Sequence, residues 1–361
     1  MQSQGTVSAQ ALHAGGPTAA ACRRARSGDK RQLVYVFSPR GSQWFGMGRD
    51  LLRDEPVFAE QIERCTEHIR RFCGWSLRDE LLRPADGYRL THDEAVFEPA
   101  VVAIQVGICA VLESRGLKPD AVIGASGGEF TAAHVAGGLT LEDTMRAACA
   151  VSRAFPVGAV AGGLVVVGLG AADTQTLVEQ LPGEAHVAAH YGPDSSVVAA
   201  EDAVLEVLLR LATAQQFRAR RLATWQPFHS PLIEARKREF LAHLEGVEPG
   251  KPGLPVYSAF LGGRAGSVTF TRQHWWEMLR QPVRFVAAAE ALLADGYDTF
   301  VEVAPSPLLL DPLRESPQWL ERSCVALPSM LRDRPADAVL KPVLRRLAAL
   351  GLVRRPESLG A

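Results

Sequence analysis

Ala121-Val122-Ile123-Gly124-Ala125-Ser126-Gly127-Gly128-Glu129 is the stretch on which the fold class turns. Three apolar residues make a short buried strand, a glycine-framed turn follows, and a helix starts near Glu129. Strand, tight glycine turn and helix, in that order, are the signature of an α/β architecture. Gly124 to Gly128 also fits G-x-S-x-G, which sets a serine on a strained strand-to-helix corner. There the Ser126 hydroxyl stands clear of the surface, backbone N–H groups converge beside it, and the helix dipole favours developing negative charge. A structural glycine turn with an exposed serine carries the same letters. The flanking strand and helix favour the nucleophile.

Outward from that corner the pattern continues. Glu98 to Arg115 has Val101, Ile104, Ile108, Val111 and Leu112 at helical spacing, which predicts a core helix closed by Gly116 and Pro119. Leu33 to Phe37 predicts another buried strand, running into the turn Ser38-Pro39-Arg40-Gly41-Ser42-Gln43 and then a helical region from about Met47 to Cys73. Thr299 to Val303 predicts a further buried strand. From Gly162 to Arg221 the texture changes. Strand-like Leu164–Val167, a helix near Thr174–Leu181, strand-like Ser196–Val198 and a helix near Val204–Gln215 describe a small βαβ-type insert. Residues 1–30, rich in Ala, Gly, Ser and Arg without a period, are expected to be a loose leader.

Composition narrows the function classes. The chain has 361 residues, 47% of them apolar, and a formal net charge of −1, so no bulk field draws it to nucleic acid or to a membrane. The basic runs Arg218–Arg221 and Arg236–Arg238 are expected to be solvated faces. Six scattered cysteines contain no C-x-x-C pair, so no metal site is expected, and the pattern suits a reducing cytoplasm. The sequence reads as having no stretch of about twenty apolar residues, so no membrane span is expected, and the N-terminus lacks a signal-peptide core.

A serine hydroxyl needs a base. Of nine histidines, His13 lies in the leader, His68 and His243 on polar helical faces, and His134 inside the helix after the corner. Phe228-His229-Ser230-Pro231 is different, because Pro227 and Pro231 bracket it in a rigid loop. On the residues alone, His229 is one candidate among several.

Six ordered segments resemble the malonyl-CoA:acyl-carrier-protein transacylase family, which includes the acyltransferase domains of modular polyketide and fatty acid synthases. They are Phe37–Gly48 (F-P-G-Q-G-S-Q-W-x-G-M-G), Gly124–Glu129 (G-H-S-x-G-E), Ala132–Asp143, Pro227–Glu234 (A-F-H-S-P-L-M-E), Met278–Phe285 and Phe300–Pro305. The likeness runs from about Leu33 to near Leu350. It implies an α/β-hydrolase-like large subdomain over residues 31–157 and 222–355, with a ferredoxin-like small subdomain over 158–221. It implies ping-pong acyl transfer, with Ser126 as nucleophile and His229 as base. The backbone N–H groups of Arg40 and Gly127 would form the oxyanion hole, and a carbonyl near Ala304–Ser306 would orient the imidazole. No bound cofactor is implied. The substrates would be phosphopantetheine thioesters of coenzyme A or a carrier protein, with an acyl carrier protein as acceptor. A monomer is expected, a discrete enzyme acting in trans.

The departures from the family pattern are specific. Members that load malonyl-type units pair the substrate carboxylate with an Arg in the helix after the corner. That position is Val151 here, and Arg153, two residues on, points to another helix face. Ala125 replaces the His before the nucleophile, Arg40 the first Gln of the oxyanion loop, and Tyr191 a pocket Asn. Gln226-Pro227-Phe228-His229 matches neither common extender signature, and Trp225 stands beside it. Ala125, Val151, Tyr191, Trp225, Gln226 and Phe228 are therefore expected to shape the substrate pocket, although core packing accounts equally well for Tyr191 and Trp225. The expected acyl group lacks a free carboxylate: a starter, fatty, aromatic, aminoacyl or peptidyl unit. Alternatives are an editing hydrolase on the same scaffold, a malonyl-type transferase with a relocated Arg, a non-catalytic carrier-binding module, and an unrelated esterase. Carrier proteins are acidic, which singles out Arg153, Arg272 and Arg280 as a docking rim, with Arg284 either there or in packing.

Overall fold

The structure is a computed structural model that describes residues 31–224, 226–266 and 270–353. The expected leader, and Trp225, lie outside the described residues. Eleven strands are described: β1 (Leu33–Phe37), β2 (Ala121–Gly124), β3 (Gly163–Val167), β4 (Ala185–Gly192), β5 (Ser195–Ala200), β6 (Ala219–Arg221), β7 (Val256–Ser258), β8 (Gly263–Arg264), β9 (Val283–Arg284), β10 (Thr299–Val303) and β11 (Val325–Pro328).

They form two sheets. The larger has the order β11-β10-β1-β2-β7-β8. Its pairs are parallel except the β7–β8 ribbon. Every residue of β1, β2 and β10 is buried, as expected for central parallel strands covered by helices on both faces. Phe37 sits beside Gly124 at the carboxyl ends of β1 and β2, so the oxyanion loop and the serine corner leave the sheet side by side. Crevices at that edge are where α/β sheets bind ligands.

The helix Glu94–Ser114, capped by Asp93, is longer than its apolar spacing predicts. It is also apolar on nearly every face, so a run long enough to cross a membrane does exist. The reading that no such run exists is corrected; 83% of its most apolar 18-residue window is buried inside the fold, as in a core helix. The region expected to be helical from Met47 to Cys73 is two helices, Arg49–Asp54 and Pro56–Cys73, because Pro56 holds Glu55 in an extended conformation.

The smaller sheet has the order β6-β3-β5-β4-β9. With the helices Ala171–Gln180 and Asp202–Gln215 the insert runs β-α-β-β-α-β, and its own four strands adopt the ferredoxin-like arrangement. Sequence patterning misses β4, whose small and polar residues show no clean alternation. It also misses the fifth strand. β9 comes from beyond the insert and pairs in parallel with β4, Ala189 facing Val283 and His190 facing Arg284.

The serine corner needs close backbone approach. A Cβ on Gly128 would lie 2.2 Å from the Phe37 carbonyl oxygen, at the very end of β1. Gly128→Ala must therefore push the corner off the sheet. We expect it to lower unfolding stability by about 1–3 kcal/mol in urea, the usual scale of overpacking, and to slow acyl loading of Ser126. Wild-type stability and loading in this variant would show that the corner can relax.

Candidate active site

Ser126 sits at the corner with φ 51°, a left-handed conformation that a residue with a Cβ adopts only when its surroundings impose it. The constraint is visible on both sides. The Ala125 N–H donates to the Phe37 carbonyl at 3.1 Å, and the Glu129 N–H donates to the Ser126 carbonyl at 2.8 Å. Glu129 then accepts from the Ser258 hydroxyl at 2.8 Å and from the Phe260 N–H at 2.9 Å, tying the first helical turn to the end of β7.

His229 arrives from the other side, also at positive φ (61°). Its N–H donates to the Leu279 carbonyl at 2.8 Å. Its Nδ1 lies 3.0 Å from the Gln281 carbonyl oxygen, and its Nε2 lies 2.9 Å from Ser126 Oγ. A carbonyl can only accept, so in the neutral ring Nδ1 carries the proton and Nε2 is free to accept from the serine. The structure thus brings together the serine and histidine singled out in the sequence. It corrects the orienting carbonyl, which comes from Gln281 and not from Ala304–Ser306. Two carbonyls of that segment are committed elsewhere: Ala304 accepts from Ser329 and Pro305 from Trp44 Nε1 at 2.7 Å. Burial pushes the His229 imidazole down to about 4. The Gln281 carbonyl opposes that shift, and the Arg40 guanidinium adds to it.

Buried Glu302 organises the loop after β1. It accepts from the Ser38 hydroxyl and from the N–H groups of Leu308, Leu309 and Leu310. Burial pushes its carboxyl up to about 6 against those bonds. Arg40 follows two residues after Ser38. Its Nε and Nη2 both reach Oε2 of Glu98, at 2.9 and 2.7 Å, and its guanidinium carbon lies 4.5 Å from the centre of the Phe228 ring. Glu98 was not read from the sequence as a site residue. The signal was there, an acid just before a long apolar run of a core helix.

Ser126 and His229 open onto a cavity of about 530 Å³ between the two sheets. The large part contributes Arg40, Phe97, Phe228 and Leu308, and the small sheet supplies Leu164, Val166, Tyr191, Val197 and Leu222. Tyr191 and Phe228 line it. Ala125, Val151 and Gln226 do not, and the expectation for these three is corrected. Ala125 packs beneath the sheet with Val34 and Val36, and Val151 lies in the helical core. Gln226 turns its amide to the Pro156 carbonyl at 2.9 Å. Arg153 and Arg272 are exposed, and Arg280 pairs with Glu234 at 3.1 Å; none of the three lines the cavity. Among the described residues no group of three or more His, Cys, Asp or Glu is placed to hold a metal ion.

Residues 34–353 match the acyl transferase domain family. The chain belongs to that family. Polyketide synthase GfsE of Streptomyces halstedii is 36% identical over 329 residues, which are 90% of this chain and 9% of that protein. Erythronolide synthase EryA3 of Saccharopolyspora erythraea is 34% identical over 326 residues, 89% of this chain and 10% of that protein. The chain therefore spans about a tenth of the length of these synthases. Among solved structures, a loading acyltransferase from the avermectin modular polyketide synthase shares 32% identity with a TM-score of 0.81, over 88% of this chain and 99% of that one. The acyltransferase domain from module 8 of the salinomycin polyketide synthase shares 30% identity with a TM-score of 0.81, over 90% of this chain and 76% of that one.

The depressed imidazole makes a pH prediction. The acceptor form of His229 is lost only as pH falls through about 4, so the rate of Ser126 acylation should stay level from neutral pH to about 5 and then drop. Arg40→Gln removes a charge that disfavours the imidazolium and should move that inflection upward. A wild-type inflection near 6.5, unmoved by the substitution, would refute the electrostatic account. The sign also applies to stability. An unfolded histidine binds its proton near 6.5, so the contribution of the neutral buried ring is present above that value and lost as pH falls towards 4.

Proposed function

We propose that this chain is an acyltransferase of polyketide-type assembly. It takes an acyl group without a free carboxylate from a phosphopantetheine thioester, on coenzyme A or a carrier protein, and delivers it through acyl-Ser126 to the thiol of an acyl carrier protein. The observation that carries the reading is the 2.9 Å contact between Ser126 Oγ and the Nε2 of a histidine whose other nitrogen is held by a carbonyl. In the first half-reaction Oγ attacks the thioester carbon and its proton passes to Nε2. The C–S bond breaks and the departing sulfur takes that proton. In the second, a carrier thiol gives its proton to Nε2 and its sulfur attacks the acyl-serine ester. The C–O bond breaks and Oγ recovers the proton. The N–H groups of Gly127 and Arg40 stabilise the oxyanion in both halves.

The walls of the cavity support the acyl class. The family's carboxylate-binding position is an apolar residue buried away from the cavity, and the small sheet presents Leu164, Val166, Val197 and Leu222. A carboxylate desolvated against those apolar walls and not paired with one of the cavity's arginines would cost roughly several kcal/mol. A relative described as a loading acyltransferase, similar along nearly its whole length, agrees with a starter-type unit. Arg220 and Arg332 also line the cavity and suit the phosphate of the incoming phosphopantetheine arm. Exposed Arg153 and Arg272 remain the docking candidates for an acidic carrier.

Incubation with a panel of acyl-CoA donors, read by intact mass, tests the reading. Propionyl, branched short-chain or benzoyl donors should add one acyl mass, located on the Ser126 peptide and lost in Ser126→Ala. Malonyl-CoA should label poorly. Efficient malonylation of the wild type would overturn the acyl class, and label surviving in Ser126→Ala would overturn the mechanism.

A further inference from the structure

We infer that Glu98 is a specificity-determining residue: by occupying the Arg40 guanidinium it bars acyl groups that carry a free carboxylate. The inference deepens the proposed function and rests on Ser126 being the acyl acceptor.

Arg40 lines the cavity together with Ser126 and His229. An unengaged guanidinium at that place would clamp a carboxylate through paired N–H donors. Glu98 prevents this. It draws both Nε and Nη2 onto one oxygen, Oε2, while the ring of Phe228 lies against the guanidinium. The acid is only 2% exposed, so water screens it little. A substrate carboxylate arriving here would meet a cation already neutralised and a second negative charge beside it. An uncharged acyl group meets neither penalty.

The arrangement is built into the corner. Glu98 Oε1 is buried and has no hydrogen-bond partner. It occupies the space a side chain on residue 127 would need, since a Cβ there would lie 1.5 Å from it. An unsatisfied carboxylate oxygen in a core is costly, and a buried ion pair is seldom more stable than the apolar packing that could replace it. A fold that keeps such a pair beside the nucleophile violates its own packing rules, and such violations gather where function imposes them.

The test is a competition. Malonyl-CoA is mixed with the uncharged donor that loads best among propionyl-, isobutyryl- and benzoyl-CoA, and the two acyl-Ser126 masses are measured at early times. Wild type, Glu98→Gln, Glu98→Ala and Glu98→Gln with Arg40→Gln are compared, with folding checked by circular dichroism. The malonyl-to-uncharged ratio should rise roughly ten- to a hundredfold in both single variants, the scale of a hydrogen bond gained to a charged group. It should fall back when Arg40 is also removed. A purely structural Glu98 would slow both labels together and leave the ratio flat, which overturns the inference while the proposed function stands. Wild type that already prefers malonyl overturns the acyl class and the inference with it. Wild type unlabelled by every donor overturns Ser126 as acceptor.

Discussion

How closely the corner after β2 can approach the end of β1 sets the geometry of the whole cavity floor. The Ala125 amide donates to the Phe37 carbonyl, and a Cβ on Gly128 would nearly overlap that same oxygen. That approach holds Ser126 in its strained conformation and brings the loop carrying Arg40 alongside. The sheet register supplies the frame, with Phe37 opposite Gly124. A nucleophile placed in this way needs no reorganisation to meet its base, which is the main structural route to low-barrier acyl transfer.

Burial does two kinds of work around that floor. It depresses the His229 imidazole, keeping the ring neutral and able to accept a proton over a wide pH range. It also raises the stakes of every charge nearby. Glu129 is satisfied by Ser258 and Phe260, and Glu302 by Ser38 and three backbone amides. Glu98 keeps one oxygen unsatisfied and shares the other with Arg40. Three buried acids thus ring the corner. Two hold loops in place, and the third pairs with Arg40, which lines the cavity.

Much of this was legible in the residues. Short apolar runs and glycine turns mark β1, β2 and β10, and the serine and histidine stand in motifs whose order leaves little room for another family. What stayed hidden had no local signal. The Gln281 carbonyl is a backbone group, and no side-chain pattern says which carbonyl faces an imidazole. Val151 was expected to shape the pocket, yet it lies in the helical core, because sequence position fixes a helix face only when the helix axis is known. β9 is two residues long and forms only because β4 offers it an edge. Glu98 was visible as an acid in an apolar helix, but only the Arg40 contact gives it a meaning.

β9 ties together two regions that chain order keeps apart. Gln281, which holds the imidazole, is followed after one proline by Val283, which hydrogen-bonds into the small sheet at Ala189. The sheet that walls the cavity is therefore stitched to the segment that holds the His229 ring. Exchanging the insert for that of a relative, to alter the chamber's shape, would replace the edge on which β9 forms. A chimera designed to change only what the enzyme accepts would also change how its proton acceptor is held, unless the Ala189–Val283 seam is carried across intact.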